Sequence, residues 1–294
     1  MKNVPFKGII AYPITPFHEN DTINIPLFKE MVEKLIISGS HGIASLGSAG
    51  VMPYLSDEEK EAVTEATVQQ VRGRIPTLIG VSNLTTEKTI HHAQFAEKAG
   101  ADAVMIIPMS YWKLTDDEIV AHYDAVARKI SIPIMAYNNP STSGIDMSPA
   151  LLKRLLEIPN ITMIKESTGD VQRMHYLRKE LGEDVAFYNG SNPLALAAFS
   201  AGATGWCTAA PNLIPQLNLD LYQTIQENQL HKAQDIFYKQ VELLKFIVAK
   251  GLPRAVKAGL DISGEESGYL RSPLKPLTEI ETEELRKILD EIKN

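Results

Sequence analysis

The chain has 294 residues, 44% hydrophobic and 22% charged, with a formal net charge of -7, an ordinary globular composition whose acidic excess argues against nucleic acid as the main partner. The one cysteine, Cys207, cannot form an internal disulfide. No uninterrupted apolar run approaches the ~18 residues that span a bilayer, so no membrane partner is expected. Residues 1–7 carry no long apolar region, so no signal peptide is expected either, and the cytoplasm is the expected location.

A strand–helix unit then recurs along the chain. Residues 8–15 read as a strand, and Pro26 opens a helix with Phe28, Met31, Val32, Leu35 and Ile36 on one stripe, ending at Gly39. The second strand is 42–47, followed by a loop and by Ser56, which stands three residues ahead of Glu59 as in a capping box. Strands at 76–81 and 103–108 are followed by helices from Thr86 to Ala99 and from Thr115 to about Ile130. The fifth strand, 132–138, precedes a helix over 148–157, and the sixth begins at Ile161 and carries Lys165. A Gly169-Asp170 turn opens the next helix, and strands at 185–190 and 204–208 complete the series.

Strands this short and this continuously apolar suit a parallel sheet buried on both faces. Eight of them separated by helical patterns predict an α/β fold of the (β/α)8 TIM-barrel type. A doubly wound sheet is the rival, but no G-x-G-x-x-G follows any strand. After Pro211 the strand pattern stops, and 215–228, 230–250 and 282–293 read as helices, with Gly251-Leu252-Pro253 and Arg271-Ser272-Pro273 as breaks. The expected organisation is a barrel over 1–225 with a C-terminal helical segment, 226–294, packed on it.

In such a barrel the chemistry sits at the C-terminal strand ends. Those ends offer Thr15, Ser48, Tyr137, Lys165, Gly190 and Thr208, with no histidine and no carboxylate cluster. Desolvation of a lysine that emerges from an apolar strand favours the neutral amine, a nucleophile able to form a Schiff base with a carbonyl. The plain alternative is a lysine that snorkels to water. Tyr137, on the neighbouring strand, supplies a phenol that could shuttle protons for imine chemistry; its plain alternative is a boundary tyrosine with a wet hydroxyl. Gly47-Ser48-Ala49-Gly50 could turn backbone N–H groups toward a carboxylate, or be an ordinary tight turn. None of the seven histidines has zinc-site spacing, and P-loop and G-x-S-x-G patterns are lacking, so no metal and no cofactor are expected.

Four motifs stand in order: Gly47-Ser48-Ala49-Gly50, Tyr137-Asn138-Asn139-Pro140, Ile164 through Asp170, and Gly202-Ala203-Thr204-Gly205. Together they resemble the dihydrodipicolinate synthase/N-acetylneuraminate lyase family of Schiff-base lyases and aldolases, over nearly the whole chain. The resemblance implies that Lys165 is the Schiff-base lysine and Tyr137 the proton shuttle. It implies that Ser48 and the N–H groups around Ser48 and Ala49 bind the carboxylate of pyruvate or a related 2-oxo acid, with Gly190 lining the pocket. A homotetramer is implied as well. Thr142 and Thr208 complete the expected substrate-binding set.

The departures from the family pattern carry information of their own. Ala49 stands where synthases have a relay threonine, and Thr142 where they have a basic residue for the aldehyde's carboxylate. Met109-Ser110-Tyr111-Trp112 occupies the stretch that usually supplies an inter-subunit tyrosine, and the register does not support Tyr111 in that role. Val51 replaces a usual glutamate, a change the sequence leaves unexplained. The expected function is therefore a lyase or aldolase acting on a 2-oxo acid. A dehydratase or deaminase of a sugar- or hydroxyproline-derived 2-oxo acid is the alternative. A true dihydrodipicolinate synthase ranks below both, and a catalytically silent metabolite-binding barrel is the non-enzymatic alternative.

Overall fold

Short apolar runs bounded by Gly or Pro become eight parallel strands in a computed structural model, which describes residues 6–182 and 184–293. β1 (Gly8–Ala11), β2 (Gly42–Ser45), β3 (Thr77–Gly80) and β4 (Ala103–Ile106) are followed in turn by α1 (Ile25–Ile37), α2 (Asp57–Val71), α3 (Thr86–Ala99) and α4 (Asp116–Ala127). β5 (Ile134–Asn138) leads into a one-turn helix, α5 (Pro140–Ser143), and then α6 (Pro149–Leu156). β6 (Ile161–Glu166), β7 (Ala186–Asn189) and β8 (Gly205–Thr208) precede α7 (Val171–Leu181), α8 (Ala195–Ser200) and α9 (Pro215–Gln226). The C-terminal segment adds α10 (Leu230–Lys250), α11 (Leu252–Ile262) and α12 (Glu279–Lys293). The strands pair in sequence order and β8 closes on β1, which is the expected (β/α)8 TIM barrel with appended helices.

Period-two alternation divides the core. Ile9, Ile43, Ile79, Val104, Ile134 and Ile164 face outward and pack beneath the helices. Ile10, Leu78, Met105, Met135, Met163 and Tyr188 fill the lumen, which Phe6 shares. The register sets Tyr137 opposite Lys165 and Lys165 opposite Tyr188, so all three belong to the inward-facing set. A slip of one residue would turn Lys165 out of the barrel.

The strands stop earlier than the apolar runs do. Pro13 has no N–H to give to a ladder, so β1 ends at Ala11 rather than Thr15. β2 ends at Ser45 because Leu46 takes a left-handed conformation (φ 58°), its carbonyl set against Gly80, where a Cβ would lie 2.0 Å from that oxygen. Three helices were not legible as such: the one-turn α5, α8, and α11, which Pro253 opens at its second position just after the break at Gly251.

Arg271 fixes the C-terminal segment to the barrel. It donates to both carboxylate oxygens of Glu59 at 2.6 and 2.7 Å and to the Tyr54 carbonyl at 3.1 Å, and it stacks 4.4 Å over the Phe17 ring. Its side chain is only 11% exposed, so removing it strands a partly buried carboxylate. Arg271→Ala is expected to cost ~2–4 kcal/mol in urea unfolding, and Arg271→Lys to recover little of it, because an ammonium cannot reproduce the fork. A loss of under about 0.5 kcal/mol, the size of an ordinary surface substitution, would contradict this role.

Candidate active site

Lys165 emerges from β6 into the barrel mouth and is 4% exposed. Its Nζ lies 3.9 Å from the centre of the Tyr137 ring on β5 and 4.3 Å from that of Tyr12, just beyond β1. Two aromatic faces therefore hold one ammonium, an arrangement that offsets part of the cost of burying it. Tyr12 in turn donates its hydroxyl to Met105 Sδ at 3.3 Å. It packs so closely on Gly47 that a Cβ there would meet its ring at 2.5 Å, so the glycine makes room for the aromatic clamp.

The Tyr137 phenol accepts from Asn139 Nδ2 at 2.7 Å. Burial alone would push its pKa up. The Lys165 charge, helped by Asn139 and the nearby Ser48 and Ser167 hydroxyls, outweighs burial and holds the phenol below the usual tyrosine value. The Ser167 hydroxyl is buried, and among the described residues no partner meets it in hydrogen-bond geometry, although it lies near enough to favour the charged phenol. Cys207, on β8, shows the contrast. Burial raises its thiol pKa, and the Lys165 charge only partly opposes it.

Behind the lysine, Glu166 points to the opposite face of β6 and is fully buried. It accepts from Asn138 Nδ2 at 3.1 Å and from the Thr168 N–H at 2.7 Å, while Asn138 also donates to Asp146, which pairs with Arg173 at 2.6 Å. Burial raises the Glu166 carboxyl pKa against these hydrogen bonds. The network joins the ends of β5 and β6, so the lysine and the phenol are held from the rear.

These groups surround a cavity of about 470 Å³, lined also by Ser48, Ala49, Gly190, Thr208 and Thr142. The seven residues expected to be catalytic or substrate-binding thus reach one space. Thr142 differs from the rest, since it lies exposed on α5 at the rim. The Thr208 hydroxyl accepts from the Ala210 N–H at 3.0 Å, and Thr15 takes no part in the lining but donates to the Gly50 carbonyl at 2.8 Å, anchoring the Ser48 turn. Among the described residues, the N–H groups of Ser48 and Ala49 meet no backbone acceptor. Gly190 permits a close approach: a Cβ would sit 1.9 Å from Ser167 Oγ and 2.7 Å from Lys165 Cε. Among the described residues, the one group of three histidine and carboxylate side chains with ligand atoms close enough to share an ion is Glu61, His91 and His92, outside the barrel on α2 and α3.

Sequence reasoning missed Tyr12. Placing the end of the first strand at Thr15 moved attention three residues past the side chain that meets the lysine. Ser167 lay inside a quoted motif but drew no role of its own.

The description "Dihydrodipicolinate synthetase family" belongs to a family model that matches residues 5–292. The 4-hydroxy-tetrahydrodipicolinate synthase 1 of Halalkalibacterium halodurans is 31% identical over 277 residues, covering 94% of each chain. The 4-hydroxy-tetrahydrodipicolinate synthase of Desulforudis audaxviator is 32% identical over 288 residues, covering 98% of each. A solved Pseudomonas aeruginosa structure, provisionally named a dihydrodipicolinate synthetase, is 52% identical, with a TM-score of 0.95 over 98% of this chain and 99% of its own. A prophage protein of E. coli K12 from the dihydrodipicolinic acid synthase family, solved in complex with pyruvate, is 26% identical, with a TM-score of 0.93 over 99% of each chain.

Two outcomes follow from this geometry. Replacing Lys165 by methionine removes the nearby positive charge, so the Tyr137 phenol should titrate at higher pH. The tyrosinate absorbance difference between each protein and its Tyr137→Phe counterpart reads this, and an unchanged midpoint contradicts the coulombic cause. Gly190→Ala should displace the lysine stem, at ~1–3 kcal/mol in stability, and should slow any reaction of its amine; native-like rates would mean the stem has room to move.

Proposed function

Since the chain belongs to the dihydrodipicolinate synthetase family, whose members are lyases of the aldolase type, we propose that Lys165 forms a Schiff base with the keto carbon of pyruvate or a related 2-oxo acid. One observation carries the reading: among the described residues Lys165 is the only charged side chain lining its cavity, and its amine lies against a phenol held below its usual pKa. The amine attacks C2, Tyr137 moves the protons that let water leave, and the resulting iminium accepts electrons when a bond at C3 breaks or forms. Ser48 and the N–H groups of Ser48 and Ala49 hold the carboxylate. Gly190 and Thr208 complete the pocket wall.

The curated relatives are named synthases, yet this site departs from what that reaction needs. An amino-aldehyde carboxylate calls for a bidentate cation, and Thr142 offers one neutral, exposed hydroxyl; Ala49 offers no relay hydroxyl. We therefore place the chain among the aldolases of other 2-oxo acid substrates rather than the synthases.

The homotetramer belongs to the same proposal. Tyr111 (88% exposed), Trp112 (77%) and Leu84 (65%) present an apolar face above α3 and α4, and the first two rings stack edge to face at 5.5 Å. A second copy packed there would cover them. Trp112→Lys should then shift sedimentation toward smaller species, and an unchanged profile would remove this face from the interface.

Borohydride reduction in the presence of pyruvate should give a covalent adduct on Lys165, detected by mass spectrometry, and Lys165→Ala should abolish it. Labelling at another lysine would overturn the assignment. Tyr137→Phe should slow turnover by roughly 10²–10⁴-fold. In a coupled assay with pyruvate and aspartate semialdehyde, trapping with little turnover is expected, and efficient turnover would restore the synthase reading.

A further inference from the structure

Beyond Tyr137 the cavity continues into a second lobe of about 410 Å³. Its walls come from the ends of β2, β3 and β4, and Pro253 and Leu274 of the C-terminal segment line it from above. Ser48, Tyr137, Thr142 and Pro253 line both lobes, so a molecule bound as an imine on Lys165 extends naturally into this space. The two lobes differ in chemistry. The second is walled mainly by Val51, Met52, Met105, Ile107 and Met109, and among the described residues no Lys, Arg, His, Asp or Glu lines it.

Two of its hydroxyl groups are already engaged. Ser82 Oγ accepts from the Ile107 N–H at 2.8 Å, and the Ser143 hydroxyl is tied into its own turn through Asn139 and Ile145. A second carboxylate, a phosphate or an ammonium would lose its hydration here and find no counter-charge. A polyhydroxylated tail would lose water on most of its hydroxyls without replacement. Three methionines, by contrast, adapt to apolar groups of varied shape. The Val51 side chain, buried where the family resemblance implies a glutamate, fits the same pattern.

We infer that the substrate is a 4-hydroxy-2-oxo acid whose C4 carries an uncharged, apolar substituent, cleaved to pyruvate and an apolar aldehyde. The inference rests on the Schiff-base reading above and specifies its substrate. Lys165 Nζ condenses with C2 and water leaves. Tyr137, as phenolate, takes the proton of the C4 hydroxyl while the C3–C4 bond breaks and its electron pair moves into the iminium. That releases the aldehyde and leaves the enamine of pyruvate. Protonation at C3 and addition of water at C2 then return pyruvate and the free amine. No oxidant, reductant or further reactant is needed.

The reverse reaction tests it. The native protein is given pyruvate with acetaldehyde, butanal or hexanal, with glyceraldehyde as the hydroxylated aldehyde and succinic semialdehyde as the anionic one. Formation of the 4-hydroxy-2-oxo acid is followed, and borohydride trapping with pyruvate alone is run beside it. The expected kcat/KM rises with chain length by up to about fourfold per methylene and exceeds that for both polar aldehydes. Met109→Arg, which places a cation in the lobe, should shift the ratio of succinic semialdehyde to hexanal by at least tenfold toward the anion. A ratio that does not move overturns the placement, and the wild-type order decides by itself should that variant misfold. Equal or greater efficiency with the polar aldehydes, or trapping without turnover of any apolar aldehyde, overturns the inference while leaving the Schiff base standing. Failure to trap pyruvate overturns both.

Discussion

One ammonium, buried at the mouth of a barrel whose cavity walls carry no other charge among the described residues, sets the terms for everything around it. A cation without a carboxylate partner at such a site must be held by weaker means, and here two ring faces do it, at 3.9 and 4.3 Å. Each ring then imposes its own requirement. Tyr137 needs donors at its hydroxyl, which Asn139 supplies. Tyr12 needs a neighbour without a side chain, which is Gly47. A carboxylate beside the lysine would hold the charge more firmly, but it would also oppose a carboxylate substrate.

The arrangement depends on a second, hidden layer. Glu166 alternates with Lys165 along β6, and its buried carboxylate draws in Asn138, the Thr168 N–H and, through Asn138, the Asp146–Arg173 pair. A polar network buried in this way is stabilising only while every member is satisfied. Its position on the outer face of β5 and β6 gives the strand ends little freedom, and the chemistry on the inner face inherits that rigidity.

The barrel was legible because eight continuous apolar runs leave little choice of architecture. Lys165, Tyr137, Ser48, Gly190 and Thr208 were legible as positions at strand ends, because the fold gathers such ends at one mouth. Strand boundaries were less so, because ladders end where an N–H is missing, as at Pro13, or where the backbone turns left-handed, as at Leu46. Tyr12 was lost to that error. α11 was hidden because Gly251-Leu252-Pro253 reads as an interruption, whereas the proline starts a helix. The apolar lobe had no sequence signal, since its walls come from residues near 50, 80, 107, 253 and 274, joined only by folding.

The two lobes also divide the circumference of the barrel. Lys165, Tyr137, Gly190, Cys207 and Tyr12 arrive from β5 through β8 and the end of β1, whereas the apolar walls belong to the ends of β2 through β4. Only the Ser48 turn, the α5 turn, Tyr137 and the Pro253 break border both. Inheritance can therefore act on the two arcs separately. Substitutions in the loops after β2, β3 and β4 change which molecule fits while the arc that carries Lys165 stays as it is, so a duplicated copy of such a gene can diverge in diet before it risks its chemistry.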